Sequence, residues 1–210
     1  MTADTPKPEW REAYASRFNE TSNHEATDYN HVEIDPYEPD RQLISNYRLL
    51  ISAVVPRPIG FLSTSSKNGV INIVSEHMLE AVNAASVNAP YGTSEFSVAG
   101  LEPAPCSVVK APRVKDAIFS IECKLVDTRE YTSKINPDKV TCTTAVVEGV
   151  RFWAREDAIN SEGNHLDLEI LKPISRLGGT TYGRLGHICD MPRPQWHTSD
   201  AGRTTNNGPS

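Results

Sequence analysis

Short apolar stretches alternate with polar ones along this chain, and few of them carry helical spacing. "LLISAVV" (49–55) is a continuous apolar run stopped by proline, which predicts a short buried strand. "IGFLSTSS" follows Pro58, and Asn68-Gly69 tolerates left-handed backbone, so a tight hairpin is predicted there, with "VINIV" (70–74) as its return strand. Phe119, Ile121, Cys123 and Leu125 alternate with Ser120, Glu122 and Lys124; Val140, Cys142, Thr144 and Val146 repeat the period. Each set predicts a strand with its apolar positions buried. "GVRFWAR" prolongs the second strand past Gly149, a position suited to a bulge, and "TTYGRLGHI" predicts a last strand. Helical signal is weaker. Ser75 stands where it would cap a helix carrying Met78, Leu79 and Val82. "REDAINSEGNHLDLEILKPISRLGG" predicts one or two short helices ending before Pro173. Closely spaced strands with few helices predict a mainly β protein, an antiparallel barrel or sandwich.

The ends differ from this middle. Residues 1–45 are polar and contain Pro6, Pro8, Pro36 and Pro39, which predicts an extended arm with a helical turn or two at Trp10–Phe18. Residues 197–210, "HTSDAGRTTNNGPS", have the composition of a disordered tail. The expected organisation is therefore an arm (1–45), one domain (46–196) and a tail (197–210). A net charge of −6 offers no field for nucleic acid or anionic lipid, and no apolar run approaches a membrane span. "MTADTPKPEWREAYASRF" places charges where a signal peptide needs an apolar core. Cys106, Cys123, Cys142 and Cys189 lie far apart with no CxxC pair, so free thiols in a reducing cytoplasm are expected, with Cys123 a small core residue.

Candidate chemistry is sparse. His24, His31, His77, His165, His187 and His197 are scattered and no GxSxG elbow is present, which argues against a nucleophilic triad. HExxH and carboxylate-rich loops are absent, so no metal is expected. "RLGGTTYGRLG" is not GxGxxG and no βαβ unit surrounds it, which disfavours a dinucleotide fold. "VPRPIGFLSTSSKNG" stands out. Two prolines flank Arg57, and the strand ends in Ser63, Thr64, Ser65 and Ser66. Prolines fix the backbone, and a cation beside hydroxyls at a strand end suits a flat anionic ligand. The plainer reading of the same residues is a proline-rich strand entry with a solvated serine hairpin.

Five blocks in order, "VVPRPIGFLSTSSKNGVIN", "ASVNAPYGTSEFSVAGL", "VVKAPRVKDAIFSIECKL", "VVEGVRFWARED" and "PISRLGGTTYGRL", resemble the flavin reductase-like, FMN-binding split-barrel family from about Leu49 to Trp196. The resemblance implies a six-stranded Greek-key barrel with accessory helices, assembled as a homodimer, with FMN in a groove near the subunit interface. It places Arg57, Pro58, Ile59, Gly60, Ser63 and Thr64 along the flavin, the last two near its polar end, and Asn72 beside it. NAD(P)H is the implied reductant, with a small molecule as electron acceptor. Electron transfer in such proteins belongs to the flavin, and no protein nucleophile is implied.

The chain departs from the family after Asn72. Relatives continue there with further strands and a phosphate-gripping segment containing Lys, Asp and Thr, and reach the next helix through a second Asn-Ile. Here "GVINI" runs directly into "VSEHMLEAVNAAS", as if the two sites were fused. The absent stretch is on the order of 40 residues, from typical strand, helix and loop lengths. Three readings stay open: a truncated gene model, a shortened protein that binds FMN weakly, or a cofactor-free protein that binds or isomerises a small molecule on the same fold. Should another part of the chain hold the phosphate, Lys67, Lys110, Arg113 and Arg184 are the first cations to test.

Overall fold

The structure is a computed structural model that describes residues 32–54, 56–186 and 188. The arm before residue 32, with its expected helical turns at Trp10–Phe18, and the tail at 197–210 lie outside the described residues. Strand β2 (Gly60–Ser65) and β3 (Asn68–Ile73) form the hairpin, in register from Gly60↔Ile73 to Ser65↔Asn68. The turn is Ser66-Lys67 rather than Asn68-Gly69, because Ser66 itself takes the left-handed backbone (φ 58°). Gly69 serves the strand instead: a Cβ there would lie 2.9 Å from the Ser63 carbonyl oxygen.

The hairpin joins β6 (Phe119–Thr132) and β7 (Val140–Ala154) in an antiparallel sheet of order β2-β3-β6-β7. A register shift places Val150 as an extra residue opposite Glu122/Cys123, the bulge expected beside Gly149. Strands β1 (Arg57–Pro58), β8 (Ile174–Gly178) and β9 (Thr181–Arg184) form a second sheet, β1-β8-β9; β4 (Pro103–Ala104) pairs with β5 (Arg113–Val114). The protein is mainly β, as the sequence predicts. The expected six-stranded barrel is not closed: the described strands form three separate sheets.

The main core holds Phe61, Val74, Met78, Leu79, Val114 and Ile174, between the hairpin, the second sheet and helix α2 (Leu79–Ala84). Phe96, on α3 (Glu95–Ala99), meets Phe61 edge to face at 5.4 Å. Burial of each large apolar side chain contributes about 1.5–3 kcal/mol. The expected cap at Ser75 is incorrect in its chemistry. Ser75 opens a 3-10 turn (Glu76–Met78) that runs into α2, but its hydroxyl makes no capping bond and its Oγ is buried without a partner. Ser75→Ala is therefore expected to be neutral or to stabilise by up to about 1 kcal/mol, where a working cap would cost about 0.5–2 kcal/mol. A thermal melt reads the sign. The single short helix before Pro173 is α4 (Leu168–Leu171), which Asp167 does cap by accepting from the Glu169 N–H at 2.8 Å.

Three further expectations are corrected. Residues 49–53 are helical, the last half of α1 (Leu43–Ala53), because the apolar run continues back through Leu43, Ile44 and Tyr47 at helical spacing. In β6 the polar positions Ser120 and Glu122 are the buried ones, while Phe119, Ile121 and Leu125 are half-buried. Cys123 is buried as expected. Val140, Cys142, Thr144 and Val146 are all exposed, since β7 and β6 extend past the rest of the sheet as a two-stranded arm. An apolar row, Leu62–Ile71–Ile121–Phe152, therefore crosses the outer face of the sheet, with Leu62 59% and Phe152 64% exposed.

Candidate functional site

The proline-flanked strand splits between two sheets. Arg57 and Pro58 pair with Arg176 and Ser175 of β8, and the chain crosses at Ile59, which packs on the main core, into β2. The Arg57 Nη1 donates to the carbonyls of Ile51, at 3.0 Å, and Val54. The guanidinium thus satisfies carbonyls at the C-terminus of α1, which have no partners within the helix. Gly178 admits that close approach: its φ is +107°, and a Cβ would lie 2.9 Å from the Ile51 carbonyl oxygen.

Alternation along β2 separates the remaining candidates. Phe61 and Ser63 point inward, Gly60, Leu62 and Thr64 outward. Ser63 donates its hydroxyl to the Pro112 carbonyl. Asn72 is fully buried. Its Nδ2 donates to the Phe61 carbonyl at 3.0 Å, and its Oδ1 accepts from the Val114 N–H at 2.9 Å and the Ser120 hydroxyl at 2.8 Å. Ser63 and Asn72 therefore pin the segment 112–114 at both ends.

The same face holds a second polar centre that the sequence did not mark as a site. Glu122, fully buried, accepts the backbone N–H groups of Ser107 (3.0 Å), Val108 (2.7 Å) and Val109 (2.8 Å), and the Trp153 indole N–H at 2.7 Å. Burial opposes its charge, but these four donors outweigh burial and hold the carboxyl below the usual glutamate range. Burial first, and then the Glu122 carboxylate, push the neighbouring Cys106 thiol up, away from nucleophilic use. No local sequence signal marks this centre, because its partners lie 13–31 residues away.

Of the seven expected cofactor residues, then, Arg57, Ser63 and Asn72 spend their polar groups on the protein itself, and Ile59 lies against the core. Pro58, Gly60 and Thr64 face outward, and β2 is an edge strand of its sheet. These residues do not fit a whole FMN: they leave a strand edge for a flat ring and no cation for a phosphate. Lys67 stands in the hairpin turn, Lys110 is exposed, and Arg184 pairs with Glu76 at 3.0 Å. Arg113 lies on Trp153 at the far side of the sheet, with its guanidinium carbon 4.5 Å from the ring centroid. Among the described residues no cluster of His, Cys, Asp and Glu could hold a metal ion, and no helix is long and apolar enough to cross a membrane.

An open, mainly β protein with this hairpin and helix order shares its fold with split-barrel proteins. Nitrilotriacetate monooxygenase component B from Bacillus cereus is similar at a TM-score of 0.71 and 24% identity, over 78% of this chain and 100% of that one. The Pseudomonas fluorescens 2-nitrobenzoate 2-nitroreductase NbaA is similar at 0.66 and 21%, over 80% and 98%. The flavin reductase like domain model matches residues 62–167, half of the chain, and the chain belongs to that family. Membership implies a flavin cofactor. The matched segment includes Ser63, Thr64 and Asn72 but begins after Arg57–Gly60.

An uncharacterized protein of Halalkalibacterium halodurans is 29% identical over 194 positions, covering 71% of this chain and 91% of the relative. Since 71% of 210 residues is about 149, about 45 of those positions have no counterpart here. An Aquifex aeolicus protein, 29% identical over 190 positions and 69% of this chain, gives the same shortfall. The shortfall agrees in size with the stretch expected to be absent after Asn72.

Proposed function

We propose that this chain is a flavin reductase-like flavoprotein that holds FMN weakly, by its ring, and passes electrons from NAD(P)H through it to a small acceptor in the cytoplasm. Family membership supports the flavin. The observation that carries the weak mode is the edge strand β2, whose outward residues Gly60 and Thr64 remain available while the polar groups of Arg57, Ser63 and Asn72 are engaged. A flavin supplies the oxidation–reduction chemistry, and the chain's part is to hold and orient it. The experiment is equilibrium dialysis of the full chain against FMN, followed by a desalting column. The weak mode predicts more flavin absorbance on the protein side than on the buffer side, lost on the column. Equal absorbance on both sides at saturating FMN supports the second reading, a cofactor-free small-molecule binding protein on this fold, which the diversion of Ser63 and Asn72 into structure favours. The third reading, a truncated gene model, predicts that the genomic DNA encodes the absent 45 or so residues between Asn72 and Val74.

The assembly is a homodimer on this reading. Exposed α1 residues (Leu43 83%, Tyr47 59%) and the Leu62–Phe152 row are apolar surface beyond what a monomer comfortably presents. Light scattering at micromolar concentration should give a dimer or larger species, and Leu62→Ser with Phe152→Ser should shift it toward monomer. A well-folded wild-type monomer contradicts the dimer.

A further inference from the structure

A cleft of about 520 Å³ opens at the β7 side of the sheet, opposite the β2 edge, lined among others by Arg113, Lys115, Trp153, Arg155, Glu156 and Asp157. Two of its three cations are neutralised: Lys115 bonds Glu102 at 2.7 Å and Arg155 bonds Asp157 at 2.6 Å. Arg113 has no carboxylate partner among the described residues. Its Nη1 reaches only the Lys115 carbonyl, at 3.4 Å, and its Nε is buried with no acceptor.

Several contacts fix this guanidinium in place. One of its faces lies on the Trp153 ring, 4.5 Å from the centroid. Trp153 is held by its bond to Glu122, and Glu122 by three backbone N–H groups. The backbone on either side of Arg113 is pinned by Ser63 at Pro112 and by Asn72 at Val114. A charged, planar donor, held rigid and with only one long bond to a protein acceptor, is the arrangement that recognises an oxyanion through paired N–H···O bonds.

We propose that Arg113 and Trp153 form a binding site for a small oxyanion, a phosphate or a carboxylate, separate from the flavin strand. The ligand accepts from the guanidinium N–H groups that the single bond to the Lys115 carbonyl leaves over, and Trp153 supplies an aromatic wall. Ser63 and Asn72, expected from the sequence to touch a cofactor, act here as positioning residues for Arg113. Glu156, the one lining carboxylate without an ion-pair partner among the described residues, disfavours dianions and so favours the singly charged form.

The test is a titration of the full chain, in phosphate-free buffer, with sodium phosphate in one arm and sodium benzoate in the other. Calorimetry is read alongside tryptophan fluorescence, since Trp153 lines the cleft. Saturable binding of at least one anion is expected, and the arms separate phosphate from carboxylate. Arg113→Gln should weaken it at least about tenfold, as loss of a charge-assisted pair implies. Arg113→Lys, which keeps charge without the fork, should recover part of the affinity, with circular dichroism showing both variants folded. No saturable binding of either anion by the wild type overturns the proposal, and so does equal binding by a folded Arg113→Gln. Because neither arm contains flavin, failure here leaves the flavin reading standing, and failure of the flavin reading leaves this one.

Discussion

Glu122→Ala is expected to lower the unfolding free energy by about 3–5 kcal/mol, because it orphans three backbone N–H groups and the Trp153 indole N–H at once. Against a typical total of about 5–15 kcal/mol, that is a large share of the protein's stability. Glu122→Gln should cost less, since one oxygen remains to accept two donors while the new NH₂ faces the others. Urea denaturation of the two variants gives the order. The pH dependence follows from the lowered carboxyl. A group whose folded value lies below its unfolded value adds stability that is complete above the unfolded value, about 4.3 for glutamate, and is lost as pH falls through the folded one. The wild type should therefore lose stability below about pH 4, and Glu122→Gln should flatten that part of the curve. Equal acid sensitivity in both would remove Glu122 from the account.

The hairpin and the strands flanking it were legible because their signals are local. Alternation from Phe61 to Ser65 and a polar turn are enough to set β2 and β3, even though the turn fell two residues earlier, at Ser66. The faces of β6 were not legible. Apolar positions are normally the buried ones, but Ser120 and Glu122 are buried because distant residues supply their partners: Asn72 of β3 for Ser120, and a loop some 15 residues earlier for Glu122. Helix α1 is not legible in residues 49–55 alone, because its helical spacing is set by the preceding Leu43, Ile44 and Tyr47. Arg57 was legible as a cation beside a strand, but not as a group satisfying a helix end, since that role depends on α1 existing. In the sequence Arg113 is one of four cations that could stand in as a phosphate grip. Its place on Trp153 depends on pairing 31 residues apart between Glu122 and Trp153, which no window of the sequence contains.

The second large effect concerns the flavin. On the proposed reading the phosphate-gripping segment is the one expected to be absent after Asn72, a stretch that the 45 or so positions without counterpart here match in size, while β2 keeps its place at the sheet edge. A charge-assisted phosphate contact contributes about 1.5–3 kcal/mol, so losing one or two weakens FMN binding about tenfold to a few thousandfold. Riboflavin, which lacks the phosphate, loses nothing. Arg57→Ala should leave the ring contacts of both ligands to β2 alike, and act mainly by freeing the end of α1. The most direct measurement is a fluorescence titration of the full chain with FMN and with riboflavin under the same conditions. Weak and nearly equal affinities are the predicted result. Tight FMN binding with a strong preference over riboflavin would contradict the account, since it would require a phosphate grip that the described residues do not form around β2.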